Sequence, residues 1–155
     1  MTRFLGTHKG KLDKKGRISV PADFRGALAR TGDQDLVFFP SYKLPCIECW
    51  PASEFDAAAD GHDGLALFSP DSDDLGGAIF AHAAELRPDA EGRVSLPERH
   101  IAMAGLTDAL LFVGQRRRFQ IWDAERGEAY LSGSVVSARD KGLTLAPVAR
   151  RDPRP

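Results

Sequence analysis

Residues 12–21 read LDKKGRISVP, and this stretch decides the fold because residues 86–97 repeat its pattern as LRPDAEGRVSLP. Aligning Asp13 with Asp89 gives the shared string D-x-x-G-R-[IV]-S-[VL]-P at an offset of 76 residues. A pattern that returns later in a chain is the signature of a repeated supersecondary unit. We therefore interpret the chain as a tandem of two similar units.

Each copy of the repeat predicts a turn, a strand and a helix. Asp-x-x-Gly is typical of a tight turn, since glycine readily adopts positive φ. The alternation of polar and apolar residues over 17–20 predicts a half-buried strand. Pro21 has the φ of a first helical turn, which predicts a helix over 22–30, and Gly32 is placed to end it.

The likeness between the units continues beyond the repeat. DLVFF (35–39) matches ALLFV (109–113), and IECW (47–50) matches FQIW (119–122), so each unit is predicted to contain a hairpin followed by a polar helix. One unit has too little apolar surface to fold alone, which favours packing of the two about a pseudo-twofold axis. The predicted core consists of Ile18, Val20, Phe38, Ile47, Val94, Leu96, Phe112 and Phe119.

The expected organisation has two units, at residues 1–60 and 84–145. The segment between them, 61–83, is acidic and turn-rich and then helical. Within it, Ser72 is expected to cap a helix that begins at the next residue. Residues 146–155 are expected to form a flexible tail.

Charge is distributed unevenly along the chain, although the formal net charge is only −1. Residues 1–30 carry eight Lys/Arg and two Asp, a net of +6. Residues 31–92 carry two basic and thirteen acidic residues, a net of −11, and residues 93–155 carry eleven basic and seven acidic residues, a net of +4. Because local potential governs steering and phosphate contact, the basic first segment favours a polyanionic partner.

The two copies of the turn differ mainly in charge. Ala90 and Glu91 occupy the positions of Lys14 and Lys15, so the second copy indicates that the turn folds without lysines. A cluster of surface lysines is usually a solvated face. Here the second copy indicates that the positive charge of Lys14 and Lys15 is not needed for folding, which favours a role in binding. The aspartate of each copy is expected to cap its turn rather than to contact DNA.

The stretches FLG, LDKKGRISVPADFR, DAEGRVSLP and LLFVGQRRRFQIWD resemble the MraZ family of bacterial transcriptional regulators, in the family's order and over about residues 3–145. That family is a tandem relative of the AbrB-type swapped-hairpin DNA-binding domain. The resemblance implies a mainly β fold with short helices (α+β), a double-split β-barrel of two interlocked units, and a ring-shaped homo-oligomer. It further implies a cytoplasmic, nucleoid-associated regulator that binds short direct repeats in double-stranded DNA. The repeats would lie upstream of the cell-division and cell-wall operon that contains its own gene.

The first turn matches the DNA-binding motif of the family. Lysines there suit phosphate contacts, which provide affinity, whereas the planar fork of Arg17 suits guanine O6 and N7 in the major groove. Gly16 would allow close approach of the backbone, and Arg25 is expected at the rim of the same surface. The candidate DNA-binding residues are Lys9, Lys11, Lys14, Lys15, Gly16, Arg17 and Arg25.

A second set of arginines is assigned to subunit contacts or to secondary DNA contacts. Arg93 is the counterpart of Arg17, and three consecutive arginines fill the second hairpin loop. Acidic residues of a neighbouring subunit, from segment 31–92, favour the subunit contact. This set is Arg93, Arg116, Arg117 and Arg118.

Cys46 and Cys49 form a C-x-x-C pair, but the chain has no second C-x-x-C and no H-x₃₋₅-H to complete a zinc site. On a strand, positions i and i+3 point to opposite faces, which disfavours a redox pair as well. Burial as two small apolar side chains is the favoured interpretation. The sequence therefore predicts neither a metal nor a cofactor.

Two other classes of function are less well supported by the sequence than DNA binding. An enzyme is disfavoured because the four histidines are scattered and GTHKGK (6–11) is an incomplete phosphate-binding loop, so no small-molecule substrate is indicated. A protein-binding, antitoxin-type module is the alternative, although such modules usually pair one unit with a disordered tail. No stretch has the length and apolarity of a membrane span or signal peptide, which favours the cytoplasm and no membrane partner.

Overall fold

The computed structural model describes residues 3–146. Antiparallel strands combine with five α-helices over these residues, which confirms a mixed α+β fold. The expectation of a mainly β fold with short helices was wrong, because the helices contain more residues than the strands and the last helix alone spans 17 residues. The predicted tail lies outside the described residues except for residue 146. The elements are β1 (Thr7–Lys11), β2 (Arg17–Ser19), α1 (Ala22–Thr31), β3 (Leu36–Pro40), β4 (Cys46–Pro51), α2 (Ala52–Asp63), α3 (Pro70–Ala78), a 3-10 turn (Phe80–His82), β5 (Ala84–Leu86), β6 (Arg93–Ser95), α4 (Glu98–Ala104), β7 (Ala109–Gly114), β8 (Phe119–Asp123) and α5 (Ala124–Asp140).

The sheet topology shows that the two units interlock. Six strands form one antiparallel sheet in the order β1-β7-β8-β4-β3-β5, and β2 pairs with β6 in a separate two-stranded ribbon. The first strand of each unit therefore pairs with the hairpin of the other unit. Exchanging each strand for its counterpart in the other unit simply reverses the strand order. This confirms the predicted packing of the units about a pseudo-twofold axis.

The strand registers locate that axis. Glu48 on β4 faces Gln120 on β8, and Ile18 on β2 faces Val94 on β6. Each of these pairs consists of the same position in the two units, so the axis passes through both. The ribbon and the centre of the large sheet consequently share one line of symmetry.

The core lies between the ribbon, the sheet and helix α1. All eight residues predicted for the core are buried. The sequence reading missed Phe4, which is completely buried and packs edge-on against Phe24, with ring centroids 5.4 Å apart. Phe24 in turn lies 4.9 Å from Phe119, so aromatic rings from both units meet in one cluster.

The expected start of the helix in the connecting segment was wrong. Helix α3 begins at Pro70, and the hydroxyl of Ser69 accepts a hydrogen bond from the backbone N–H of Ser72 at 3.1 Å. Ser69-Pro70 is the stronger start signal, because proline at the first helical position needs no N–H partner and already has helical φ. Ser72 therefore lies inside the first turn instead of capping it.

A buried polar network lies on the axis. Glu48 is 7% exposed, and its carboxylate accepts hydrogen bonds from Arg118 Nε at 2.5 Å and from Gln120 Nε2 at 2.8 Å. The side-chain oxygen of Gln120 accepts a hydrogen bond from Trp122 Nε1 at 3.0 Å. A buried charge is tolerated when it is paired and hydrogen-bonded, and this network satisfies both conditions for Glu48.

Replacing Arg118 with alanine is expected to lower the free energy of unfolding by about 2–3 kcal/mol, because the buried carboxylate of Glu48 loses its counter-charge. That value is below the usual loss for a broken buried pair because solvent screens the partly exposed Arg118, whose side chain is 32% exposed. Urea unfolding at matched protein concentration measures the loss.

Arg117→Ala is the control for that measurement. Arg117 Nε lies 3.9 Å from Glu54 Oε2 and the arginine side chain is 65% exposed. An exposed pair of this kind is worth little, so the control is expected to stay within about 0.5 kcal/mol of the parent chain. Equal losses in the two variants would contradict the assignment of Glu48 as a paired buried charge.

Candidate nucleic-acid interface

The first turn is closed by one aspartate. Asp13 Oδ1 accepts hydrogen bonds from the backbone N–H groups of Lys15 at 2.9 Å and Arg17 at 2.8 Å. Asp13 Oδ2 accepts a third from Arg17 Nε at 2.7 Å. Gly16 has a φ of +79°, a conformation that favours glycine. The turn leaves the side chains of Lys14 and Lys15 exposed on its outside.

The second turn repeats this geometry without lysines. Asp89 Oδ1 accepts from the backbone N–H groups of Glu91 and Arg93, both at 2.9 Å, and Gly92 has a φ of +80°. Asp89 Oδ2 accepts from Arg93 Nε at 3.1 Å. The prediction that the turn folds without lysines is confirmed, as is the capping role of both aspartates.

These bonds favour the ionised form of each capping carboxyl. The backbone N–H of Arg17 is the main reason that the pKa of Asp13 lies below its ordinary value. The backbone N–H of Arg93 has the same effect on the pKa of Asp89. In both turns the capping carboxylate is therefore charged at neutral pH.

The two arginines differ in what remains available for a ligand. Arg93 Nη2 lies 3.2 Å from Glu91 Oε2, so its guanidinium is shared between two carboxylates. Arg17 is held through Nε by Asp13 alone, and its terminal nitrogens have no hydrogen bond to another described residue. The side chain of Arg17 is 41% exposed. Asp13 thus orients the guanidinium group of Arg17, and the terminal nitrogens of that group stay available for a ligand.

Strand β1 adds two lysines beside the first turn. The side chains of Lys9 and Lys11 lie on its exposed face, and the alternate positions His8 and Gly10 are half-buried. Lys9, Lys11 and Lys14 line an open cleft of about 860 Å³. None of the four candidate lysines forms an ion pair within residues 3–146. The structure therefore brings three of the four candidate lysines to one cleft.

Acidic residues also line that cleft, a feature that the sequence did not predict. Their carboxylates come from the loop before β7 and from the first turns of α5. Their charge disfavours a phosphate beside them. The residues are Asp108, Glu125 and Glu128.

Arg25 does not lie at the rim of the first turn, as the sequence reading expected. A β-carbon placed on Gly92 would lie only 2.5 Å from Arg25 Cδ, so Arg25 packs against the second turn. The reason is topological. Helix α1 follows the end of β2 that is far from the first turn, and antiparallel pairing with β6 brings the second turn to that end.

The arginines of the second hairpin loop have partners within the same chain. Arg118 pairs with Glu48, and Arg117 lies 3.9 Å from Glu54. The backbone of Arg116 pairs with that of Phe4 through N–H···O bonds of 2.7 and 2.9 Å. This loop therefore ties the N-terminal segment to the sheet within one subunit.

The cysteines and histidines form no chemical site within the described residues. Cys46 packs against Leu111, Val113 and Trp122, whereas Cys49 belongs to the main core on the other face of the sheet. Burial raises the pKa of both thiols, which confirms their interpretation as small apolar side chains. Residues 3–146 contain no group of three or more His, Cys, Asp or Glu arranged to hold a metal ion, and no helix long and apolar enough to cross a membrane.

The protein consists of two interlocked hairpin units, and one of its two equivalent turns is cationic. This combination is typical of a nucleic-acid-binding protein. A family model described as "MraZ protein, putative antitoxin-like" matches residues 3–75 and again residues 79–142, in agreement with the internal repeat. The chain belongs to the MraZ family.

Relatives match over nearly their whole length. The transcriptional regulator MraZ of Gluconacetobacter diazotrophicus is 44% identical over 157 residues, which cover 97% of this chain and 96% of that protein. The protein of the same name from Gluconobacter oxydans is 42% identical, covering 96% and 95%. That of Pelagibacter ubique is 35% identical, covering 89% and 86%. The role that these names give the relatives is regulatory and not enzymatic.

Replacing Asp13 with alanine is expected to lower the urea midpoint of unfolding at neutral pH, because three hydrogen bonds of the turn lose their acceptor. Asp89→Ala is the matched variant and is expected to act similarly. Since a depressed aspartate pKa contributes stability above the unfolded pKa and none once pH falls through the folded pKa, the difference from the parent chain should shrink below about pH 4. Urea titrations at several pH values test this, and a difference that grows toward acid would contradict it.

Proposed function

We propose that this chain is a sequence-specific DNA-binding transcriptional regulator that recognises short direct repeats upstream of a cell-division and cell-wall operon containing its own gene. One observation supports the proposal: the two turns have the same geometry, but only the first carries lysines. The second turn has the same geometry without lysines. The fold therefore does not require Lys14 and Lys15. Acting on chromosomal DNA, such a regulator would work at the nucleoid.

The lysines provide affinity without sequence information. Lys9, Lys11, Lys14 and Lys15 are exposed, and their ammonium groups are compact charges suited to phosphate oxygens. The acidic residues that also line the cleft disfavour phosphates beside them. Release of counterions from the phosphates would make this component of binding strongly dependent on salt.

Arg17 provides the sequence information. A two-stranded ribbon fits the major groove, and the first turn lies at one end of the β2–β6 ribbon. Asp13 holds Arg17 through Nε, which leaves the terminal nitrogens to donate to guanine. The backbone at Gly16, without a side chain, allows the turn to enter the groove. At the other end of the ribbon, the carboxylate of Glu91 would repel a phosphate. Arg93 there is paired with both Glu91 and Asp89.

The second unit completes the sheet and takes part in assembly. In the proposed arrangement, the ribbon and the six-stranded sheet close as a double-split barrel, and subunits join head to tail in a ring. Heterologous contacts of this kind repeat one orientation, as direct DNA repeats do. Arg93 and the loop arginines remain candidates for subunit contacts or for secondary contacts with DNA, whereas Arg25, which the sequence predicts as a DNA-binding residue, packs against the second turn.

An antitoxin-type role is the alternative, and the words "antitoxin-like" in the description of the family favour considering it. Such a module masks a protein partner with segments that are free to bind. In this chain both units are used to complete each other's sheet, which favours the DNA-binding role. Co-purification with a stoichiometric small protein would support the alternative.

Arg17→Ala is expected to weaken binding to the cognate repeat by about 1–3 kcal/mol for each engaged subunit, through loss of a bidentate contact to guanine. Titration onto DNA from upstream of the chain's own gene measures the change. Arg93→Ala removes the same side chain from the equivalent turn and is expected to have little effect. Equal losses in the two variants would remove Arg17 from sequence recognition.

Removing the charges of the first turn tests the lysines. Lys14→Ala with Lys15→Ala adds no carboxylate that could share Arg17 as Glu91 shares Arg93, and it is expected to weaken binding to all sequences and to lower the salt slope by about one for each lost contact. Adding Ala90→Lys and Glu91→Lys to that variant is the control. It is not expected to restore the lost binding, because the lysines then lie on the second turn. A loss confined to the cognate sequence would refute the phosphate role.

A further inference from the structure

Helix α4 of the second unit supports the first turn. A β-carbon placed on Gly16 would lie 3.3 Å from Ile101 Cδ1, so the Ile101 side chain packs directly beside Gly16. The backbone N–H of Leu96, which precedes α4, donates to the carbonyl oxygen of Gly16 at 2.8 Å. The geometry of the turn that carries the lysines therefore depends on the position of α4.

His100, the residue before Ile101, attaches α4 to the connecting segment. It is only 3% exposed, and its Nε2 lies 2.6 Å from the backbone carbonyl oxygen of His82 in the 3-10 turn. A carbonyl oxygen only accepts, so Nε2 carries the proton and Nδ1 is bare when the ring is neutral. Nδ1 is buried and has no hydrogen-bond partner within residues 3–146. Protonation would therefore create a buried cation and a buried N–H without an acceptor, both of which are unfavourable.

The internal repeat indicates that the fold does not require an ionisable ring at this position. The offset of 76 residues aligns His100 with Phe24 and Ile101 with Arg25, which packs against the second turn as Ile101 packs against the first. Phe24 is buried against Phe4 and cannot titrate. The helix that supports the lysine-bearing turn thus has a titratable group where its counterpart has an apolar one.

The surroundings of His100 disfavour its protonated form. Helix α4 packs against strands β3 and β4, and β3 has no titratable side chain. On β4, Cys49 belongs to the core and its thiol stays neutral because burial raises its pKa, whereas Glu48 lies on the other face and is paired with Arg118. No carboxylate within residues 3–146 forms an ion pair with His100. The other titratable groups of α4 and the 3-10 turn are Glu98, Arg99 and His82.

Burial is the main reason that the pKa of His100 lies below its ordinary value, and the charges of His82 and Arg99 lower it further. The hydrogen bond to the carbonyl oxygen of His82 opposes this shift without cancelling it. Because the folded pKa lies below the unfolded one, the stability that the neutral ring contributes is complete above about pH 6.5 and is lost as the pH falls through the folded pKa.

We propose that His100 is a positioning residue for the first turn, which holds α4 and Ile101 in place while its ring is neutral and releases them when the ring is protonated. The protonated ring can hydrate its charge and pair its Nδ1–H only by leaving its buried position for water, and α4 then moves away from Gly16. This role rests on the proposed function, because release of the turn matters to binding only if the turn contacts DNA. Binding to the cognate repeat would then weaken toward acid.

The first measurement needs no DNA. The full chain, labelled with ¹⁵N-glycine, is titrated between about pH 7.5 and about pH 4.5, a range in which both capping aspartates stay ionised because their pKa values lie below the ordinary aspartate value. We expect the amide signal of Gly16 to shift as His100 titrates. The amide signal of Gly92, which packs against Arg25, should stay in place.

The second measurement is binding to DNA from upstream of the chain's own gene, over the same pH range and at constant ionic strength. We expect the affinity of the parent chain to fall several-fold more toward acid than that of either His100 variant. His100→Phe copies the first unit, and His100→Gln keeps a donor for the His82 carbonyl oxygen without a ring that titrates. His82→Gln is the matched control, since it removes the neighbouring imidazole but keeps the carbonyl, and it should respond as the parent chain does.

The outcomes separate this role from the proposed function. A Gly16 signal that does not respond to pH, or that responds equally in both His100 variants, would overturn the role of His100, as would loss of the response in His82→Gln. DNA binding with one pH dependence in all four chains would also overturn it while leaving the proposed function intact. A Gly16 response that depends on His100, in a chain that does not bind this DNA at any pH, would support the positioning role and count against the proposed function.

Discussion

The exchange of first strands between the units is the constraint on which the rest of the structure depends. β1 pairs with β7 and β5 pairs with β3, so each hairpin is completed only by a strand from the other unit. Edge strands with unpaired backbone groups are thereby reduced to two for the whole sheet. Neither unit retains a complete sheet without the other, and the two are expected to fold as one cooperative body.

The same exchange allows the two turns to specialise. The antiparallel β2–β6 ribbon places them at opposite ends, where a side chain in one turn does not crowd the other. Both turns are closed by hydrogen bonds to an aspartate, and none of these bonds involves the side chains at the two positions after it. Those positions therefore differ in charge while both turns keep one geometry, although Glu91 additionally pairs with Arg93. Lys14 and Lys15 lie at one end of the ribbon, and Ala90 and Glu91 lie at the other.

Local signals were sufficient for the two turns, the hairpins and most of the core, and they failed where two distant segments meet. They also missed β1 and β5, the strands that the units exchange, and the buried Phe4. The turn, strand and helix around Pro21 follow from the preferences of neighbouring residues, so the sequence predicts them well. The position of Arg25 beside Gly92 depends on the register between units, and the acidic residues of the lysine cleft depend on how α5 packs on β7, the strand that pairs with β1. The pairing of Arg118 with Glu48 joins residues 70 positions apart, which no local pattern indicates.

A pseudo-twofold axis forces asymmetry on the residues that lie on it. Glu48 and Gln120 face each other there, and a carboxylate opposite an amide satisfies hydrogen bonds that two like carboxylates would not. Gln120 therefore keeps an oxygen for Trp122, while both oxygens of Glu48 are engaged by Gln120 and Arg118. Trp50 Nε1, the counterpart of Trp122 Nε1, has no hydrogen-bond partner within residues 3–146. A repeated fold thus acquires different chemistry in its two halves from one difference at its centre.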